Sequence, residues 1–157
     1  VSKIEPSNMA YVMILAGAGM LVGNLGGGYL SDRFNPEKTC IFLLASMMVA
    51  LFNVFLFADN TIIALILTFI CGALSMAVSA PINIMMLKAA PKSEMMGAAF
   101  MQAAFNGANA MGAFLGGIPL TFGYSYNYPS LVGVGMTMVG LIISIRYMYL
   151  YRETNHI

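Results

Sequence analysis

The chain has 157 residues, 60% of them hydrophobic and only 8% charged, with a formal net charge of +1. An ordinary soluble domain carries about 25% charged residues, so this composition excludes one. No basic stripe exists to neutralise phosphates, which also excludes a nucleic-acid partner.

Charges and turn residues divide the chain into five apolar runs, predicting membrane-crossing helices at 9–30, 40–58, 61–87, 95–121 and 129–151. Each approaches the roughly 20 residues that a helix needs to cross a bilayer. Helix is expected over strand because backbone groups in lipid must be satisfied within the segment. The expected class is therefore all-α, a polytopic bundle of five transmembrane helices.

The first span carries Gly19, Gly23 and Gly27 at the four-residue spacing that lets membrane helices approach closely. Asn24 lies toward its end, before the segment Gly28-Tyr29-Leu30-Ser31-Asp32-Arg33. Asp32 and Arg33 are expected to pair with each other or with a facing helix end. The second span holds Cys40 and the third Cys71, both read as free thiols serving as small hydrophobes. Ser75, Ser79 and Asn83 recur every four residues in the third span, and Pro81 is expected to kink it.

The fourth span opens the longest uncharged stretch, Met95 to Ile145. Its Gln102, Asn106 and Asn109 fall at i, i+4 and i+7, on one helical face. Gly112 and Gly116 follow at packing spacing. Such polar residues either face a cavity or bind a neighbouring helix, and both readings stand at this point. Tyrosines 124, 126 and 128 before the fifth span, and 147, 149 and 151 at its end, suit aromatic belts at the two interfaces.

Basic residues set the expected topology. Arg33, Lys38, Lys88, Lys92, Arg146 and Arg152 fall on one side, and only Lys3 on the other. By the positive-inside rule the first side, with the C-terminus, is cytoplasmic. Arg146 is expected to snorkel to that surface. Five crossings then place Val1 outside, and the expectation is that a preceding helix belongs to a larger protein.

The core Gly28-x-Leu30-x-Asp32-Arg33 resembles the cytoplasmic-loop motif of the major facilitator superfamily, G-x-L-x-D-R-x-G-R-R. Asn35 replaces the second Gly, a position where Asn tolerates a left-handed turn, and Pro36-Glu37-Lys38 replaces the trailing arginines. Such a degenerate copy is usual after the eighth helix of that fold. The stretch Ala104 to Gly117, with Asn106, Asn109, Gly112 and Gly116, resembles the eleventh helix of the drug:proton antiporter branch, particularly its arabinose-efflux-permease-like members. Ala108 stands where Gly is usual. Ala89-Ala90-Pro91 resembles the link preceding that helix.

The resemblance implies helices eight to twelve, a partial C-terminal half, with residues 1–157 forming one transmembrane bundle. It implies that Asn24, Ser75, Ser79, Asn83, Gln102, Asn106 and Asn109 line a substrate pathway. Gly28, Asp32 and Arg33 would form a cytoplasmic gate motif. The implied partners are a small-molecule substrate, the lipid bilayer and the N-terminal half of the same protein; the implied location is the inner (plasma) membrane. No cofactor or metal is expected, and no nucleophile–base cluster points to an enzyme. His156 reads as a solvated tail residue. No span holds a deep acid or base, so a proton-coupling residue is expected in the N-terminal half. The alternative is a non-transporting scaffold, sensor or assembly protein with the same fold.

Overall fold

In the computed structural model, which describes residues 9–89 and 93–154 and all side chains there except 94 and 151–154, every apolar run is helical. The helices are α1 (Met9–Arg33), α2 (Pro36–Phe57), α3 (Thr61–Ala77), α4 (Ser79–Ala89), α5 (Glu94–Thr121) and α6 (Tyr128–Thr154). Lys3, Ala90, Pro91, Lys92 and His156, and the side chains of Tyr151 and Arg152, lie outside the described residues.

Four spans are long and apolar enough to cross a membrane: α1, α2, α3 with α4, and α6. The fifth, α5, has 28 residues and so the length, but its alanines, glycines and three amides dilute its hydropathy. With α3 and α4 counted as one crossing, the helices number five, as the resemblance implies.

Three boundaries differ from expectation. First, α1 runs three residues past 30, so Asp32 and Arg33, expected at the helix end, occupy its last turn. Second, α2 begins at Pro36, four residues early. Asn35 caps it, with its side chain accepting a hydrogen bond from the Glu37 amide at 3.1 Å. Its φ of −63° is extended rather than left-handed. Capping satisfies one of the orphan amides of the first turn, and Pro at the first helical position lacks an amide to orphan. The connection thus shrinks to Phe34 and Asn35. Third, the span that Pro81 is expected to kink is interrupted at Val78, about one turn before the proline. A proline ring collides with the carbonyl one turn earlier, which here belongs to Ala77, so the ladder yields upstream of the proline itself.

Packing is uneven. The main seam joins α1 to α3; α2 packs on α6 and on α3, and α5 touches only α4 and α6 among the described residues. Along the α1 seam Gly19, Gly23, Gly27 and Ser31 are the buried positions. A Cβ at Gly23 would fall 2.6 Å from Ala73 Cα, and one at Gly27 2.6 Å from Ala77 Cα. From the other side, a Cβ at Gly72 would fall 2.6 Å from Ala16 O. Backbone therefore meets backbone, a contact only residues lacking a side chain permit. Ser31 closes the stripe by donating to Gly27 O at 2.7 Å, so its buried hydroxyl is satisfied within the helix.

The α2–α6 pair is looser and mixed. Gly133 receives Leu51, whose Cδ1 lies 3.1 Å from where a Cβ would stand. At one end Asn127 donates to Phe55 O at 3.2 Å, and Tyr128 meets the Phe55 ring edge-on at 5.5 Å.

Candidate functional site

The spans contain two kinds of polar residue, distinguished by whether they satisfy themselves. Ser46, Thr68, Thr137 and Ser144 each donate to the carbonyl four residues back, and the Asn53 amide does the same to Val49 O at 2.8 Å. Ser75 and Ser79 donate three residues back, to Gly72 O at 2.8 Å and Met76 O at 2.6 Å. Such hydroxyls are content in any surroundings.

Asn24, Asn83, Gln102, Asn106 and Asn109 behave differently. All five are exposed, and none makes a side-chain hydrogen bond to another described residue. An amide turned into hydrocarbon without a partner costs roughly 2–7 kcal/mol. A single interhelical hydrogen bond returns only about 0.6 kcal/mol on average. These faces therefore demand water or another polar surface rather than lipid.

Their distribution along the helices is consistent. Half-buried Met101, Phe105, Gly112, Gly116 and Pro119 trace one packed line on α5. At 3.6 residues per turn, Gln102, Asn106 and Asn109 lie roughly 100° round from it. Exposed Phe100, Met111 and Phe114 occupy the flank on the far side. So α5 has a packed line, an amide flank and an apolar flank. Asn24 stands on α1 and Asn83 on α4, which touches both α1 and α5 and is the only described element linking those two. Ser75 and Ser79, half-buried on the same span as Asn83, add hydroxyls but no free donor.

The proposed packing glycines divide sharply. Gly19, Gly23 and Gly27 are pressed against α3, whereas a Cβ at Gly112 would meet nothing within 4 Å, and one at Gly116 only Pro129 Cβ at 3.9 Å. Gly28 also faces open space.

In the gate segment, Asp32 and Arg33 are exposed at the end of α1. Arg33 turns to Tyr29 rather than to Asp32, donating to its hydroxyl and lying 5.9 Å from the ring centre. Tyr29 was not legible as its partner, although the i, i+4 spacing brings the two side chains together. Two further residues escaped the sequence reading. Glu37 and Thr39, read as loop, are each only 5% exposed in the first turns of α2. The run Asn35-Pro36-Glu37 carried the signal: a cap, a proline at the first position and an acid in the first turn.

Among the described residues no His, Cys, Asp or Glu group is arranged to hold a metal ion. Cys40 and Cys71 are free; Cys40 Sγ lies 3.8 Å from Ser144 Oγ across the α2–α6 contact.

The profile of the Major Facilitator Superfamily matches residues 3–156. The chain belongs to this superfamily. Among its relatives is the putative transporter AraJ of Escherichia coli K12, 37% identical over 131 residues, covering 83% of this chain and 33% of the relative. The inner membrane transport protein YdhP of the same strain is 29% identical, covering 91% of the chain and 36% of the relative. A probable sugar efflux transporter of Haemophilus influenzae PittGG is 28% identical over 98% of the chain and 38% of the relative. The chain thus spans about a third of the length of these relatives. No solved structure matches it significantly. A superfamily member of this composition is a multi-pass integral membrane protein, and its family is one of transporters.

Proposed function

We propose that the intact protein exports small organic solutes, sugars or drugs, by alternating access, and that this chain is the latter part of its C-terminal half. The carrying observation is the set of five exposed amides on α1, α4 and α5 that make no side-chain hydrogen bond to another described residue. In a transporter those positions line a water-filled route near the membrane midplane, where two halves rock against each other. The family membership and the name of the Haemophilus relative, a probable sugar efflux transporter, support efflux of a small solute. Export is coupled to protons through an ionisable group outside this segment, because no described acid lies deep in a span.

In this reading the basic side, with the C-terminus, faces the cytoplasm of the inner membrane. Asp32 and Arg33 then sit at the cytoplasmic gate, where the other half contacts the end of α1. Gly28, with open space beside it, lets that contact come close. The bundle has no catalytic role.

The test is accumulation of labelled sugars and drugs in cells expressing the intact protein. Expression lowers accumulation of at least one solute, and Asp32→Asn abolishes most of that effect with unchanged membrane insertion. Wild-type transport kinetics in Asp32→Asn would remove the gate role. Failure of the intact protein to move any solute would favour a scaffold.

A further inference from the structure

We infer that the α1–α2 corner is a binding site for an anionic membrane phospholipid, with the headgroup at Arg33, Lys38 and Thr39 and one acyl chain in the groove between α2 and α3. The headgroup end is a cavity of about 580 Å³ beneath the Phe34–Asn35 turn. Both of its charged lining residues, Arg33 and Lys38, are cationic; the neighbouring acids Asp32 and Glu37 are not among its walls. Thr39 also lines it, and is the one described side chain at this end whose buried hydroxyl oxygen has no hydrogen-bond partner. At 5% exposure that hydroxyl has been taken from water without compensation, which is costly unless a ligand supplies the partner. The cavity also lies over the first turn of α2, a 22-residue helix whose dipole favours negative charge there.

The remaining walls say that the anion is attached to hydrocarbon. Leu30, Phe34 and Phe42 complete the cavity, and both phenylalanines are exposed. Phe42 is shared with a second cavity of about 560 Å³, which continues along α2 past Val49 to Asn53 and is floored by Leu67, Ile70 and Leu74 of α3. From Phe42 to Asn53 the helix rises roughly 16 Å. Measured from Pro36, the groove spans roughly 9 to 26 Å along α2 and so crosses the midplane, giving one acyl chain a long apolar track below the cationic end. Asn53 and Ser46, its polar lining residues, are already bonded to their own helix and do not oppose an apolar guest.

The site does not depend on transport. Its test reads binding alone, so its failure leaves the export reading intact, and the reverse holds too. The intact protein is delipidated in detergent and titrated with palmitoyl-oleoyl phosphatidylglycerol or phosphatidylcholine, and retained lipid is counted by native mass spectrometry. Phosphatidylglycerol is expected to be retained in preference to phosphatidylcholine. Removing one interfacial cation in Lys38→Gln should weaken phosphatidylglycerol about fivefold, and Thr39→Val should weaken it as well. Val49→Trp, which fills the groove from an exposed position, should lower retention of both lipids. Equal retention of the two lipids by the unmodified protein would overturn the proposal. So would unchanged phosphatidylglycerol retention in both Lys38→Gln and Val49→Trp, or its displacement by millimolar inorganic phosphate, which would make this a soluble-anion site. If Lys38→Gln fails to fold, the comparison of lipids on the unmodified protein decides alone.

Discussion

The seam between α1 and α3 and the open flank of α5 are built from similar residues and end in opposite states. Both helices carry small residues at four-residue spacing. On α1 the stripe Gly19, Gly23 and Gly27 meets the backbone of Phe69, Ala73 and Ala77. On α5 Gly112 lies on the half-buried line, yet a Cβ there would meet nothing within 4 Å, and the amides about a quarter-turn round have no side-chain hydrogen bonds to other described residues. A small-residue stripe therefore marks permission for close approach, and the facing helix decides whether the permission is used. One seam is closed backbone to backbone, and in the proposed reading the other flank is left for water, solute or another part of the protein.

The strongest way to break this contrast is Gly23→Ala. The added methyl lands on the Ala73 backbone, which cannot rotate aside, so overpacking should cost about 1–3 kcal/mol or more. Thermal denaturation in detergent should show a clear loss of folded protein. The control Gly140→Ala, at a helical position with open space around it, should be neutral or stabilising by up to about 1 kcal/mol. Gly112→Ala sharpens the comparison: a neutral result means the room beside that glycine persists in the intact protein, and a loss like that of Gly23→Ala means another helix fills it.

Asn106→Leu addresses the flank itself. Efflux by the intact protein should fall at least about tenfold, the scale of one lost polar contact of roughly 1.4 kcal/mol. Thermal stability should not fall, because no described partner is left unpaired. A stability loss with normal efflux would assign Asn106 to packing instead.

At the basic end of the seam, Asn35→Ala removes the cap of α2 and should cost about 1 kcal/mol, read from the same denaturation curves. The smallest effect belongs to Ser75→Ala. Its hydroxyl bonds only its own helix, so stability should stay within about 0.5 kcal/mol, and a larger loss would mean that Ser75 contacts something beyond the described residues.

Much of the bundle was legible in the sequence because lipid leaves few options. A long uncharged apolar run must be a helix, and the Gly spacing marked a close-packing face. Which helix that face meets was not legible, since it depends on how α3 is placed in space. The α1–α2 corner was misread because the second span was started at 40, which left Glu37, Lys38 and Thr39 outside it. At a membrane interface charged residues sit comfortably in terminal helical turns, and the Asn35-Pro36-Glu37 run announces such a turn. The interruption at Val78 was legible from Pro81, because a proline disturbs the turn before it. The amides were legible as a set. Their lack of partners among the described residues was not, because sequence cannot say whether an Asn bonds its own helix, as Asn53 does, or waits for something else.

Labelling of single cysteines at positions 106, 109 and 142, in the intact protein with Cys40 and Cys71 replaced by alanine, tests that division most directly. A water-soluble maleimide applied to membranes should react at 106 and 109 on the amide flank of α5 and leave 142, exposed on α6, unmodified. Reaction at 142 with silence at 106 and 109 would place the α5 amides away from water and contradict the solute route proposed for them.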